Sequence, residues 1–388
     1  MQAPREPSPS ATGTARRLKI LHFVTGGFSG ATQVALDLCQ TDGQQETLLV
    51  LRRRSQDISN RVAELHRRGL AVETVPRRPH AYAVWRLWQI CRAWQPDILV
   101  AHGFSDHLWG RYAGWLAGVP HLVHVEHNVR ERYTWWRLRQ SIWLARRTDA
   151  IVAVSDAVHN ALIRLGHPAD RCVTIHNGID TQRWGHGLPW GERESAVVMA
   201  ARFARQKDHE TLIRAARLLM DRGTPMIIYL AGGGSRRWRL RAERLAERLG
   251  VTPWVRFLGA TDALPTLYGR VRYCVLSTHY EGLALSLLEG MASGCCAIGS
   301  AVEGVREIID HGQTGLLVPP KDPHALADAL AGLVATPHEG QRLADAGQRV
   351  VRTRFDRRLM LQRYTNLFAG LAGNPFNGTA SPDRSAAS

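Results

Sequence analysis

The sequence has few cysteines, and none of them stands at metal-binding spacing. The six cysteines are scattered among apolar residues, without a CxxC pair or a Cys/His cluster. Buried reduced thiols are therefore expected, and a zinc site or a disulfide framework is not. No apolar run reaches the length of a transmembrane helix, and the Pro/Ser-rich residues 1–14 lack the apolar core of a secretory signal. These absences predict a cytoplasmic protein that meets a membrane only at its surface.

Lysine is scarce, and a common acidic metal motif is missing. Only three of the 50 basic residues are lysine (Lys19, Lys207 and Lys321), in a chain of net charge +16. Such a basic chain suits nucleic acid, an anionic membrane or an anionic substrate. A chain-wide preference for arginine makes the arginine count uninformative by itself and singles out Lys207. Asp-x-Asp occurs nowhere, so the usual motif for a metal that bridges a diphosphate is missing, and neither a metal nor another cofactor is expected.

The chain is long enough for two domains. Its 388 residues, 45% hydrophobic and 22% charged, are typical of globular proteins. Apolar runs of strand length alternate with helical patterns in both halves, which predicts α/β domains with parallel sheets covered by helices. The Gly- and Pro-rich residues 185–191 mark a linker, so we predict an N-terminal domain over residues 17–184 and a C-terminal domain over residues 185–372. The flanking residues 1–16 and 373–388 are predicted to be disordered.

Two glutamates organise the second half of the chain. A predicted buried strand at residues 273–276 leads into Glu-Gly-Leu-Ala-Leu-Ser-Leu-Leu-Glu at residues 281–289, where a helix is expected to start near Leu283. A helix N-terminus that follows a parallel strand offers free N–H groups and a positive dipole end to a phosphate. If the run is helical, Glu281 and Glu289 lie about 12 Å apart along the axis, too far to share a proton. They suit two separate groups of hydroxyls on one long ligand, such as a nucleotide sugar.

This segment resembles the Glu-x7-Glu signature of the retaining, family 4-type glycosyltransferases with the two-domain GT-B architecture. A second typical stretch follows at residues 304–319, and His-Asn-Gly-Ile-Asp at residues 176–180 precedes the linker. The resemblance implies an α/β fold of two Rossmann-like domains that face each other across a cleft. It also implies that the N-terminal domain is on the acceptor side, that the C-terminal domain binds the nucleotide sugar, and that the last helix packs back on the N-terminal domain. Gly290, where alanine is common, is a small departure.

The same resemblance assigns roles to residues around the two glutamates. Glu281 would bind sugar hydroxyls as part of the catalytic centre, and Glu289 would bind the ribose diol. Gly282 and Leu283, at the expected helix N-terminus, would bind the donor phosphates. No nucleophile is assigned, because the departing phosphate could itself deprotonate the acceptor.

The remaining predicted site residues lie at strand ends in both halves. Arg202 and Lys207 resemble the cation pair that holds the donor diphosphate and stabilises charge on the leaving group. Gly26 and Gly27 follow the first predicted strand and would let the donor approach the backbone, with a plain turn as the alternative. His127 resembles the cleft histidine that contacts the transferring sugar. We interpret it as a catalytic-centre group that positions the sugar rather than as a base.

Residues 130–147 form a basic, tryptophan-rich segment with six arginines, one acid and three tryptophans. This composition suits contact with an anionic membrane surface, and an amphipathic helix packed on its own domain is an equal alternative. No nucleic-acid-binding motif accompanies the segment, so nucleic acid is not expected as a partner.

Together these features predict a hexosyltransferase-type, retaining, metal-independent glycosyltransferase. It would move a sugar from a nucleotide-sugar donor to a glycan or a polyprenyl-diphosphate-linked or other lipid-linked glycan, in lipopolysaccharide or cell-surface polysaccharide synthesis. It would work in the cytoplasm, at the inner face of the cell membrane. Two alternatives stay open: a nucleotide-sugar epimerase or glycogen-synthase-like enzyme of the same fold, and a non-catalytic basic protein that binds nucleic acid or membrane.

Overall fold

The structure is a computed structural model. It describes residues 17–26, 29–40, 45–53, 58–103, 106–129 and 133–373. Gly27, residues 130–132 of the basic segment, the N-terminal arm and residues 374–388 lie outside the described residues. Within the described ranges, no helix combines the length and the apolar character that crossing a membrane requires.

Two parallel sheets form the centres of the two halves of the chain. The strands of the first sheet are β1 (Leu18–Thr25), β2 (Gln45–Arg52), β3 (Val72–Val75), β4 (Ile98–His102), β5 (His121–Glu126), β6 (Ala150–Ala153) and β7 (Cys172–Thr174). Those of the second are β8 (Glu194–Ala200), β9 (Ile228–Ala231), β10 (Val255–Gly259), β11 (Val271–Leu276), β12 (Cys296–Ser300) and β13 (Leu316–Val318). The strand orders are β3-β2-β1-β4-β5-β6-β7 and β10-β9-β8-β11-β12-β13. Each sheet thus has the doubly wound order of a Rossmann-like domain.

Helices connect the strands and bury the sheets. In the first half they are α1 (Gly30–Cys39), α2 (Ser59–Arg67), α3 (His80–Trp94), α4 (Asp106–Ala117), α5 (Trp135–Ala145), α6 (Asp156–Arg164) and α7 (Thr181–Trp184). In the second half they are α8 (His209–Asp221), α9 (Arg236–Arg248), α10 (Leu264–Arg270), α11 (Leu285–Ala292), α12 (Glu303–Arg306), α13 (Pro323–Ala335), α14 (Pro337–Arg354) and α15 (Arg357–Leu371). Every residue of β4, β6 and β12 is buried, as expected for central strands covered on both faces.

The helix that carries the second glutamate starts later than the sequence suggests. The apolar run predicts a start near Leu283, whereas α11 begins at Leu285, with Ala284 as its N-cap residue. Residues 281–284 form a loop because the backbone at Gly282 lies against the other half of the molecule, as described below. Leu283 therefore lies two residues before the helix.

The chain crosses between the two halves at two neighbouring places. One crossing passes through Ile179 after β7, and the other passes through Asp356 between α14 and α15. Ile179 N donates a hydrogen bond to Phe355 O at 2.9 Å, and Arg357 N donates one to Ile179 O at 2.8 Å. Beyond this point α15 contacts α1 of the N-terminal half, where Arg357 lies 3.4 Å from Asp37. The two crossing segments thus lie side by side and are joined by two hydrogen bonds.

Candidate active site

Two adjoining cavities lie where the carboxyl ends of the two sheets face each other. The first cavity has a volume of about 630 Å³ and the second about 620 Å³. They share Ala200, Ala201, Arg202, Leu285 and Ser286, which lie at the end of β8 and at the start of α11. One elongated ligand could therefore occupy both cavities and pass this junction between them.

An ion pair forms part of the wall of the first cavity. Lys207 Nζ lies 2.5 Å from Glu281 Oε1, which also accepts a hydrogen bond from Thr278 Oγ1 at 2.7 Å. The lysine and glutamate side chains are only 15% and 7% exposed. An isolated antiparallel bridge between Lys207 and Thr278 joins the loops that carry them. The pair thus presents a fixed ammonium group and a fixed carboxylate to the cavity, suited to a phosphate and to sugar hydroxyls respectively.

The backbones of the two halves come closest at Gly282. A Cβ atom there would lie 2.1 Å from the carbonyl oxygen of His127 and 3.3 Å from the Cα atom of Asn128. The carbonyl oxygen of Gly282 also accepts a hydrogen bond from Ser155 Oγ at 2.7 Å. Only glycine fits this contact without separating the two halves, because the opposing atoms belong to the backbone.

Glu307 makes a second contact between the halves, at the first turn of α6. Its carboxylate accepts hydrogen bonds from the backbone N–H groups of Asp156, at 3.0 Å, and Ala157. It also lies 3.3 Å from His176 Nε2. A carboxylate is stabilised at a helix N-terminus by the unpaired N–H groups and the dipole there. Our interpretation of the sequence missed this role, although Glu307 stands in the second family-typical stretch.

Three histidines form a line that runs from the first cavity into the N-terminal sheet. His127 Nε2 lies 3.4 Å from His102 Nδ1, and His102 Nε2 lies 3.2 Å from His22 Nδ1. Burial lowers the pKa of both His127 and His22 to about 3. Burial, assisted by the two neighbouring rings, lowers the pKa of His102 well below its usual value. All three rings are therefore neutral at physiological pH, and His127 is too weak a base to take a hydroxyl proton efficiently.

The buried carboxylate of Glu126 shapes the loop that carries His127. Its Oε1 atom accepts hydrogen bonds from the backbone N–H groups of His127, at 2.8 Å, and Asn128, at 3.1 Å. Glu126 is the last residue of β5, so the sheet holds this loop at the cavity. The imidazole of His127 is consequently fixed from two sides, by the backbone and by His102.

Glu289 lies on α11 and lines the second cavity. Burial raises the pKa of Glu289 to about 8, and the positive charge of Arg183 opposes this rise. Gly232 and Gly233 line the same cavity after β9. At Gly232 the φ angle is +144°, and a Cβ atom would lie 2.2 Å from the carbonyl oxygen of Ala201. Glu281 and Glu289 thus line different cavities, with the start of α11 between them.

The junction of the two cavities offers positive charge. Arg202 is exposed there and lines both cavities. The first two residues of α11, Leu285 and Ser286, line both cavities as well. A helix N-terminus carries a partial positive charge and free N–H groups, which suit an anion such as a diphosphate.

Most of the predicted site residues lie at these cavities. The first cavity is lined by His127, Arg202, Lys207, Glu281, Gly282 and Leu283, and the second by Arg202 and Glu289. Gly26 lines neither, because it packs under Ile58, whose Cδ1 atom would lie 2.2 Å from a Cβ atom at position 26. The first cavity is lined instead by Thr25 at the end of β1 and by Ser29 and Gly30 at the start of α1. Gly27 lies outside the described residues.

Our interpretation of the sequence also missed a set of basic residues on the N-terminal wall of the first cavity. These residues are Arg52, Arg53, Arg77, Arg78, His80 and Arg137. The preference for arginine along the whole chain concealed them. The one available signal is two short arginine runs, at residues 52–54 and 77–78, each close behind an apolar run of strand length.

Two groups of side chains in the described part of the chain place enough ligand atoms together for a metal ion. They are His107, His124 and Glu126, and Asp156, His176 and Glu307. In the first group, His107 Nδ1 lies 2.8 Å from a guanidinium nitrogen of the buried Arg111, and that positive charge disfavours a cation. In the second group, Glu307 already accepts two backbone hydrogen bonds. None of these six residues lines either cavity. That the transfer requires no metal ion stays a prediction.

Comparison with known proteins identifies the family. The model of Glycosyltransferase Family 4 matches residues 28–183, and the model of Glycosyl transferases group 1 matches residues 180–350. The chain therefore belongs to the family 4-type glycosyltransferases with the GT-B fold. The predicted family and the predicted α/β fold of two Rossmann-like domains are confirmed.

Individual relatives cover most of the chain. The lipopolysaccharide core biosynthesis glycosyltransferase LpsE of Rhizobium meliloti is 25% identical over 368 residues, 91% of this chain and 99% of the relative. A glycogen synthase of Mycobacterium tuberculosis is 28% identical over 293 residues, 68% of this chain and 66% of the relative, so the chain spans about two thirds of that protein. Among solved structures, Anabaena HepE in complex with UDP-glucose has a TM-score of 0.81 at 21% identity, with 91% and 100% of the chains covered. That likeness concerns the fold.

Proposed function

We propose that this chain transfers a hexose from a nucleotide-sugar donor to a glycan or lipid-linked glycan, with retention of anomeric configuration and without a metal ion. One observation carries the proposal: two adjoining cavities present, in order, the Lys207–Glu281 pair, a positive junction at Arg202 and the carboxyl group of Glu289. This order matches the sugar, the diphosphate and the ribose of a nucleotide sugar.

The charges of the site suggest how the transfer would proceed. Arg202, Lys207 and the N-terminus of α11 would hold the diphosphate and stabilise the negative charge that grows as the bond to the sugar breaks. Lys207 and Thr278 hold the Glu281 carboxylate in place through its Oε1 atom. The carboxylate held in this way would orient the sugar hydroxyls. Since His127 is neutral and weakly basic, the departing phosphate would take the proton of the acceptor hydroxyl on the same face of the sugar.

The relatives support the donor and the pathway of the proposal. LpsE is named for lipopolysaccharide core biosynthesis, which favours an acceptor in cell-surface glycan synthesis. The HepE structures contain UDP, UDP-glucose, or UDP with glucose, which makes UDP-sugars the first donors to test.

Exposed tryptophans in residues 133–147, the described part of the basic segment, support the proposal that the protein acts at the inner face of the cell membrane. Trp135 and Trp136, at the start of α5, are 69% and 62% exposed, and Trp143 is 38% exposed. The guanidinium carbon of Arg147 lies 3.9 Å from the ring centroid of Trp143. Exposed tryptophans with adjacent arginines suit the headgroup region of an anionic membrane.

The proposal is tested with donors and product stereochemistry. A thermal-shift screen of UDP-, GDP- and ADP-sugars selects the donor, and the anomeric configuration of the transferred sugar is then measured by NMR. We expect retention and an unchanged rate after treatment with EDTA. Inverted product, a rate that EDTA abolishes, or epimerised sugar nucleotide without transfer would contradict the proposal.

The similarity to a glycogen synthase favours a second candidate, elongation of an α-glucan. An uncharged glucan would leave the arginines of the first cavity without an anion to bind. Transfer to glycogen or maltooligosaccharides at a rate above that to phosphorylated or lipid-linked acceptors would support this candidate.

Donor affinity should depend on pH through Glu289. Because the pKa of Glu289 is raised to about 8, its carboxyl is mostly protonated at pH 7 and ionises as the pH rises. An ionised carboxylate binds a ribose diol more strongly, so we expect the dissociation constant of the donor to fall about tenfold between roughly pH 7 and 9. The raised pKa has the opposite effect on folding. The protonated carboxyl of Glu289 adds fully to the free energy of unfolding below the pKa that Glu289 has in the unfolded chain, and this contribution is lost as the pH rises through about 8.

Calorimetric titrations of the donor across this pH range would measure the effect. Glu289→Gln should flatten the profile, whereas Glu247→Gln, at an exposed glutamate on α9, should leave it unchanged. A profile that Glu289→Gln does not alter would remove Glu289 from donor binding.

A further inference from the structure

We propose that the acceptor carries a phosphate group, which Arg53, Arg77 and Arg78 bind on the N-terminal wall of the first cavity. This inference rests on the proposed function, because it takes the remainder of the cleft to be occupied by the sugar donor. It adds a binding site that the proposed function does not assign, and it narrows the acceptor to one that carries phosphate.

The three arginines come together at one edge of the N-terminal sheet. Arg53 follows β2, and Arg77 and Arg78 follow the neighbouring strand β3. The N–H group of Arg53 donates a hydrogen bond to Val75 O at 2.9 Å, which holds the two strand ends together. All three arginines are exposed and line the first cavity. Arg137, in the first turn of α5, lines the same cavity.

Arg53, Arg77 and Arg78 have no acidic partner in the part of the chain that the structure describes. The acid of the wall, Asp106, is paired with Arg52 at 2.5 Å, and both side chains are buried. In the described ranges, no carboxylate lies within ion-pair distance of Arg53, Arg77 or Arg78. Several like charges around one cavity repel each other, and this repulsion is relieved when an anion binds between them.

The shape of the cluster favours a phosphate over a single carboxylate. A guanidinium group offers a planar fork of N–H donors that pairs with two oxygens of one phosphate. Three such groups exceed what the two oxygens of one carboxylate can accept, whereas a phosphate or diphosphate has enough oxygens for all of them. The cavity volume of about 630 Å³ is suited to a small phosphorylated ligand or to the head of a larger one.

The position of the arginines separates this phosphate from those of the donor. The junction between the two cavities is formed by Arg202 and the start of α11, and these residues belong to the C-terminal half. None of the three wall arginines lines the second cavity, which contains Glu289. They face the first cavity from the opposite half to Lys207 and Glu281, which is where an acceptor must enter to reach the sugar.

Inorganic pyrophosphate is a suitable probe once the donor site is filled. In the full chain saturated with the nucleoside diphosphate of the selected donor, we expect calorimetry to detect a second anion site. The triple variant R53Q/R77Q/R78Q should weaken pyrophosphate binding at that site at least thirtyfold and should change donor binding less than threefold. The control R67Q/R68Q/R92Q removes the same charge from exposed arginines outside the two cavities, and it should behave as the unmodified protein.

Vesicles distinguish a phosphorylated lipid carrier from a free sugar phosphate. Phosphatidylcholine vesicles with and without polyprenyl phosphate are sedimented with the same proteins, again with the donor site filled. Retention that requires the polyprenyl phosphate and is lost in R53Q/R77Q/R78Q supports a lipid-linked phosphate. Loss of pyrophosphate binding in that variant without any such retention by the unmodified protein supports a soluble phosphorylated acceptor.

Two results would overturn the inference while leaving the proposed function intact. One is the absence of any pyrophosphate site when the donor site is filled. The other is equal weakening of pyrophosphate binding in R53Q/R77Q/R78Q and in the control. A protein that binds no sugar nucleotide would instead remove the proposed function itself.

Discussion

Replacement of Lys207 by alanine is expected to lower kcat/KM for sugar transfer by about a hundred- to a thousandfold. The ammonium group is lost from the first cavity, and with it the charge that would stabilise the leaving phosphate. The change also removes the cation from the Glu281 carboxylate, whose side chain is 7% exposed and which keeps the hydrogen bond from Thr278; this should lower the free energy of unfolding by about 1–3 kcal/mol. Steady-state kinetics and denaturant unfolding of the same preparation measure the two effects separately.

A matched control and a double variant sharpen this prediction. Lys321→Ala removes an exposed lysine away from both cavities and should change neither rate nor stability measurably. Because Lys207 and Glu281 act as one pair, the combination of Lys207→Ala with Glu281→Gln should cost little more activity than either change alone. If the losses of activity in the two single variants multiply in the double variant, Lys207 and Glu281 contribute independently, and the prediction that they act as one pair is wrong.

Replacement of Gly282 by alanine is expected to reduce kcat at least a hundredfold, because it should prevent the two halves from closing. The added methyl group would lie 2.1 Å from His127 O, and this backbone atom cannot move aside as a flexible side chain could. The hydrogen bond from Ser155 Oγ to Gly282 O would be lost when the halves separate. Misplacement of the sugar by about 1 Å is sufficient for a loss of this order.

Nucleotide binding provides the internal comparison for Gly282→Ala. The second cavity is formed largely by the C-terminal half, so the affinity for the nucleoside diphosphate should change less than threefold. Gly332→Ala is the control, since a Cβ atom on α13 at that position meets nothing within 4 Å. Small-angle scattering should show a more open molecule for Gly282→Ala than for the unmodified protein, and no such change for Gly332→Ala. Normal transfer by this variant would mean that the close contact at Gly282 is not part of the active arrangement.

Local sequence patterns were sufficient to place the residues of the C-terminal half. Glu281 and Glu289 belong to one strand–loop–helix unit, so their order along the cleft follows from the order of these elements. Arg202 and Lys207 follow a strand of the same sheet, and the carboxyl ends of parallel strands meet at one edge. Their association was therefore predictable without knowledge of distant contacts.

Features that depend on contacts between distant segments could not be predicted in this way. The cavity-lining part of the loop after β1 is set by the packing of Ile58 over Gly26, which no pattern near Gly26 reveals. The arginines after β2 and β3 become a cluster only because those strands are neighbours in the sheet. The late start of α11 and the capping of α6 by Glu307 both depend on how one half faces the other.

The double crossing at Ile179 and Asp356 has a mechanical consequence. The two connecting segments run in parallel and share two hydrogen bonds, so a movement of one half relative to the other is expected to be a rotation about this line and not a slide along it. Such a rotation would return the carbonyl oxygen of His127 to the same position against Gly282 at each closure. A proteolytic cut in either connection would leave the two halves still joined by the other.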